Sequence, residues 1–312
     1  MQNQNIGSPS IPIVEICGKN KHHQISENSN NMNFKNCPYI YPPIKLNMDV
    51  SSILSYSTYF ITIIVTSDGI AKVIGSNDEE QISTSLPKCI FEKFTSINLT
   101  ISNGDPFFII SAICGRNYIL YLTENKEKNT RSLLYWNSNL KSNFPIMINN
   151  DISNPLALFG DPYICLAIDD DGSIICIPEK FPDSEKILIP KISLPNNDKA
   201  INVVFCHFFI FVLGLSGKVY RSEFNNISFV VVEEIKKEQI ILISGFFDRC
   251  FAVNKKGKVF IYGKLNESIL HFNDEDFKFT KIRSLSKYNV AKVYSEKYHT
   301  IFQTIEGKLL AY

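Results

Sequence analysis

The chain has 312 residues, 45% hydrophobic and 20% charged, a balance that supports a large core and excludes a disordered chain. Its 32 lysines and arginines against 31 acids leave a net charge of +1, so no strong overall field draws nucleic acid or a membrane surface, and neither is expected as a partner. The length fits two ordinary domains or one large closed β-structure, and internal repeats must decide between them.

Residues 1–12 read as a polar tail. Met1 to Ser10 lacks a basic segment followed by an apolar run, so no secretory signal is apparent and an intracellular protein, cytoplasmic or nuclear, is expected. The first β element is Ile13 to Cys17, with no hairpin partner upstream, followed by the polar run GKNKHHQIS from Gly18. His22 and His23 within it are neighbours whose side chains diverge, and no third ligand is near in sequence. A solvated loop is therefore preferred to a metal clip.

From Ser57 a pattern begins that recurs to the end of the chain: small residue, short turn, apolar strand, glycine turn, second apolar strand. Its copies are STYFITIIVTSDGIAKVIG from Ser57, GRNYILYLTENKEKNTRSLLYW from Gly115 with an enlarged turn, and GDPYICLAIDDDGSIICI from Gly160. CHFFIFVLGLSGKVY from Cys206, GFFDRCFAVNKKGKVFIYG from Gly245 and SEKYHTIFQTIEGKLLAY from Ser295 follow. Consecutive starts lie about 40 to 60 residues apart, the spacing of one propeller blade per repeat. Gly172, Gly217, Gly257 and Gly307 are each predicted in a hairpin turn, where glycine supplies positive φ. LPKCIFEKFTSINL from Leu86 and FKFTKIRSLSKYNVAKVYS from Phe277 supply the remaining strands of a blade and the step to the next. The longest apolar stretch, Val203 to Leu215, falls short of the roughly 20 residues of a membrane helix and reads as a buried strand.

The expected architecture is all-β: a β-propeller occupying residues 13–312 as a single domain. It has six recognisable hairpin repeats plus an orphan N-terminal strand around Val14, with a seventh blade incomplete. A ring of small sheets leaves only short protected edges, which explains how so many short strands share one chain.

The run GSNDEEQIS from Gly75, like GKNKHHQIS, resembles the Gly-x-Asn-x-x-Gly-Gln-Leu-Gly signature of regulator-of-chromosome-condensation repeats. Gly18, Asn20 and Gln24 match in one copy, and Gly75, Asn77 and Gln81 in the other. The signature's second and third glycines are absent, a third copy has decayed to GKLNESIL at Gly263 to Leu270, and the repeats from Gly115, Gly160 and Cys206 lack it. The resemblance covers the chain from about residue 13 onward. It implies a seven-bladed propeller and, for His299, a structural position between blades. A WD propeller needs recurring Trp-Asp pairs, whereas Trp136 is the only tryptophan, and the paired glycines of kelch blades are missing.

The function that the resemblance implies is a non-enzymatic platform binding partner proteins through loops on a propeller face. The alternative is a guanine-nucleotide exchange factor for a small GTPase; an inhibitor or lectin-like binder is a third class. Relatives with exchange activity engage the GTPase through a protruding β-wedge, and no inserted hairpin stands between the repeats here. No GxxxxGK[ST], GxSxG or HExxH motif occurs, and the eight cysteines form no CxxC pair and read as reduced, so no cofactor, metal or catalytic residue is expected. Asp169, Asp170 and Asp171 read as turn chemistry rather than a cation loop, because they lack alternating oxygen ligands. EEIKKE from Glu233 and NDEDFK from Asn273 read as solvated connections or parts of a binding rim. The residues singled out for protein contact are Glu127, Lys128 and Arg131 in the enlarged turn, and Phe246, Phe247 and Asp248 in a short turn. Core packing is the competing role for the two phenylalanines.

Overall fold

In the computed structural model the described residues are 14–19, 39–46, 52–57, 61–77, 80, 82, 89–97, 99, 107–137, 145–148, 154–161, 164–177, 189–206, 208–246, 248–263, 278–295 and 300–311. Their elements are strands and short 3-10 turns. β1 (Val14–Lys19) pairs antiparallel with β2 (Tyr39–Leu46), and six sheets follow. The first holds β3 (Ser52–Ser57), β4 (Ile61–Val65), β5 (Ala71–Ser76) and β6 (Ile90–Ile97); the second holds β7 (Phe108–Cys114), β8 (Tyr118–Asn125), β9 (Thr130–Asn137) and β10 (Ile146–Ile148). The third comprises β11 (Ala157–Gly160), β12 (Cys165–Ile168), β13 (Ile174–Ile177) and β14 (Lys191–Ile192). β15 (Ala200–Cys206), β16 (Phe209–Gly214), β17 (Val219–Glu223) and β18 (Asn226–Val231) form the fourth, and β19 (Ile240–Phe246), β20 (Arg249–Asn254), β21 (Val259–Tyr262) and β22 (Thr280–Lys281) the fifth. The sixth has three strands, β23 (Val290–Ser295), β24 (Thr300–Thr304) and β25 (Leu309–Ala311). In every sheet spatial order follows chain order, which is the up-and-down blade expected from the repeat.

Two expectations need correction. The strand around Val14 is not an orphan: Val14 faces Leu46 and Ile16 faces Ile44 of β2, a downstream partner. The apolar run from Val203 to Leu215 is not one strand but most of two, β15 and β16, which reverse between Cys206 and Phe209 and pair Cys206 with Phe209. His207 lies outside the described residues, as do His22, His23, Phe247 and His299.

The chain divides into two compact units, Met1–Ala167 with Cys176–Ile189, and Ile168–Ile175 with Pro190–Tyr312. In the first, Ile61, Ile63, Val73, Ala112, Ile119 and Trp136 belong to one buried cluster. In the second, Val204, Phe211, Cys250, Tyr262 and Phe279 form a cluster, and Phe251 and Phe302 anchor another. β4, β12, β16 and β20 are buried at nearly every position because both faces of these middle strands are covered, so their sequences read as continuous apolar runs.

The same hairpin closes five of the sheets. In the turns beginning at Thr66, Asp169, Gly214, Asn254 and Thr304, the first residue's N–H donates to the carbonyl four residues on, and the glycine N–H donates back to the first carbonyl. Gly69, Gly172, Gly217, Gly257 and Gly307 all have positive φ, as the glycine turns require. Four of these glycine carbonyls then accept from the first strand of the next sheet: Gly69 from Ile109, Gly172 from Ala200, Gly217 from Ile240 and Gly257 from Val290, at 2.9–3.1 Å. One residue later that first strand carries a bulge, at Ile110, Ile201, Ile241 and Ala291.

These joints set the cost of altering a glycine. Gly257 has φ +68° and a methyl group there would lie 2.7 Å from Asn289 Cα, whereas Gly307 at φ +82° has nothing within 4 Å. Gly307→Ala therefore carries only backbone strain, about 1 kcal/mol, while Gly257→Ala adds a clash with main chain and is expected to cost about 2–4 kcal/mol. Urea denaturation of the two variants checks this; equal losses would refute the joint.

Candidate functional site

Glu127 and Lys128 sit exposed in the four-residue turn between β8 and β9, where Asn125 Oδ1 accepts from both of their amides at 3.1 and 3.0 Å. Arg131 at the start of β9 is half-buried, its Nε 3.5 Å from Glu124 Oε1 across the hairpin. Phe246 ends β19 half-buried, opposite Arg249. Asp248 Oδ1 lies 3.1 Å from Arg249 Nε, and both side chains are largely buried, so Asp248 is held by an internal ion pair. The two groups of candidates occupy different kinds of turn: the first joins the second and third strands of its sheet, the other the first and second. They therefore mark opposite ends of a blade.

Two carboxylates of the Asp169 to Asp171 run share one lysine. Lys191 Nζ stands 2.7 Å from Asp169 Oδ2 and 2.8 Å from Asp171 Oδ2, and Asp169 is fully buried. Asp171 Oδ1 also accepts from the Ser173 amide at 2.8 Å, which is the turn chemistry expected of it. A second buttress lies in the next sheet. Asp198 accepts from Tyr220 Oη at 2.9 Å, the Ser216 amide at 3.1 Å and the Ser216 hydroxyl. Burial opposes ionisation of Asp198, yet these hydrogen bonds win and hold its carboxyl below the ordinary value. The thiols of Cys165, Cys206 and Cys250 are buried and raised by that burial, which leaves them packing groups rather than nucleophiles.

What sequence reading missed is a concentration of lysines at one end of the second unit. Because each first strand starts beside the preceding glycine turn, the glycine turns of its sheets lie at one end. Lys199, Lys255, Lys256, Lys287, Lys292 and Lys308 are exposed there, outnumbering the exposed Asp170, Asp171 and Glu306 of the same turns. Between them are exposed aliphatics: Leu215 at 66%, Ile305 at 69% and the bulged Ile241 at 53%. The KKG and EGK turns were the available signal, but a chain-wide charge of +1 concealed it. On the outer strand β18 of the same unit, a cleft of about 680 Å³ is lined by Pro195, Arg221, Phe229, Val230, Glu233 and Glu234. The Glu233 connection is solvated, as expected, except for Ile235, which is buried beneath it. Among the described residues no helix is long and apolar enough to cross a membrane.

No protein-family model matches the chain, and no curated protein matches it by sequence. Similar solved structures exist. Human WBSCR16 aligns with TM-score 0.66 at 12% identity over 88% of this chain and 79% of its own. Yeast RCC1 (Prp20), in a structure bound to Kap60, gives TM-score 0.66 at 11% identity over 96% and 78%. Prp20p from Saccharomyces cerevisiae gives TM-score 0.65 at 12% identity over 97% and 81%, in work that also addresses its binding to Gsp1p and histones. The fold is thus a β-propeller of the kind seen in RCC1-like proteins, and its described residues form six blades of three or four strands and a two-stranded N-terminal sheet.

Proposed function

We propose that this propeller belongs with the regulator-of-chromosome-condensation repeats and acts as a non-enzymatic platform, holding partner proteins through turns displayed at the ends of its blades. The observation that carries the reading is the tethered turn: main-chain bonds fix four of the five glycine turns to the next sheet, so the residues of those turns are presented on a rigid frame. Glu127, Lys128, Arg131, Phe246, Phe247 and Asp248 remain contact candidates in this reading. The yeast structures lend support, since that protein is bound to Kap60 in one and its binding to Gsp1p and histones is addressed in the other.

A platform has no need to expel nucleotide. The purified protein is therefore expected not to accelerate release of fluorescent GDP from Ran-like or Rho-like GTPases. Acceleration of about a hundredfold at micromolar protein would replace the platform with the exchange-factor alternative. Affinity capture from the native cell with mass spectrometry tests the platform directly, and failure to recover any stable partner would count against it.

A further inference from the structure

Three ammonium groups converge on Tyr288, in the loop ahead of β23. Lys287 Nζ is 5.1 Å and Lys308 Nζ 5.3 Å from the centre of its ring. Lys258 Nζ, from the preceding sheet's glycine turn, lies 2.8 Å from the Ser286 carbonyl and 3.5 Å from that of Tyr288. Among the described residues no carboxylate stands within ion-pair distance of any of the three. The carboxylates nearby are otherwise engaged: Glu238 accepts from Asn254 Nδ2, and Glu306 is bonded to the Thr304 hydroxyl. Like charges gathered without a counter-ion repel one another, and an external anion relieves that repulsion. The apolar neighbour is close too, since the amide of exposed Ile305 donates to the Asn289 carbonyl at 2.9 Å.

We propose that the glycine-turn end of the second unit docks an acidic polypeptide segment. Its carboxylates would sit at Lys258, Lys287 and Lys308, and its aliphatic side chains against Ile305, Leu215 and Ile241. The inference rests on the platform reading and names the partner's chemistry. Polypeptide is favoured over nucleic acid on three counts. Exposed aliphatics between the lysines suit peptide side chains rather than a phosphodiester backbone. The ring of Tyr288 already carries two ammonium groups instead of offering a free face for stacking a base. Lysine prevails over arginine, the residue suited to bidentate phosphate contacts; Arg283 is the one arginine described at this end.

The test uses the full chain and a fluorescein-labelled peptide of alternating glutamate and leucine, followed by anisotropy at rising salt. Binding should weaken as salt rises, and the double variant Lys287→Glu/Lys308→Glu should reduce affinity by about tenfold or more. Lys278→Glu, an exposed site at the other end of its sheet, should bind as the parent does, with unchanged melting curves establishing that all proteins are folded. No binding of the peptide, binding indifferent to the double substitution, or tighter binding of a single-stranded DNA of equal charge would each overturn the proposal. If native partners are captured equally well by the double variant, this surface is wrong and the platform stands; if the parent captures none, the platform itself falls.

Discussion

Truncating Phe211 to alanine should lower the unfolding free energy by about 3–5 kcal/mol, the range for deleting a fully buried aromatic ring. Phe211 in β16 has no exposed surface and meets Tyr262 of the following sheet and Phe279, just ahead of that sheet's last strand, edge-on, with ring centres 4.8 and 5.4 Å away. It therefore fills the seam between two blades, where removal leaves a cavity that neither sheet can close without moving the other. Phe208, three residues earlier, is 64% exposed. Phe208→Ala should cost under about 1 kcal/mol, as surface changes do. Chemical denaturation of both variants decides it, and similar losses would mean the seam is not packed as described.

Lys191→Met should cost about 2–3 kcal/mol near neutral pH. The substitution keeps an apolar stem and removes the charge that offsets buried Asp169 and half-exposed Asp171. The figure is set below the full cost of breaking a buried pair because Lys191 retains some solvent contact. The cost depends on pH in a stated direction. Burial pushes the Asp171 carboxyl up, but hydrogen bonds from Lys191 and Ser173 overcome it and leave it below its ordinary value. A depressed folded value gives stability above the unfolded value near 3.9, lost as pH falls through the folded one. Hydrogen bonds to Asp169 and Asp171 raise Lys191, so its share is present below about 10.4 and lost as pH rises through its higher folded value. Urea titrations of parent and variant should show a constant gap between about pH 5 and 9 that narrows on either side. A gap independent of pH would exclude the charge cluster as its source.

The glycine turns were legible because Gly172, Gly217, Gly257 and Gly307 each interrupt an apolar run at a point where only a left-handed residue closes the hairpin. β2 was not, since Pro42 and Pro43 break a strand signal and its pairing with β1 is visible only in space. The reversal after Cys206 was hidden for a different reason. β15 and β16 are apolar through most of their length, so no change of period marks where the chain folds back. The candidate site was least legible. Lys258, Lys287 and Lys308 are far apart in sequence, and only the joining of consecutive sheets brings them around one tyrosine.

The stitch between sheets is written in main-chain atoms, and this bears on how such a protein changes over evolutionary time. The second position of the five glycine turns holds Ser67, Asp170, Leu215, Lys255 and Ile305, so hydroxyl, acidic, basic and aliphatic side chains all sit on one backbone geometry. Selection can rewrite these positions one at a time without disturbing the scaffold, because the glycine and the amide that meets its carbonyl carry the joint. The turns are in that sense interchangeable sockets, and new specificity can arise by exchanging what is plugged into them while the blades stay as they are.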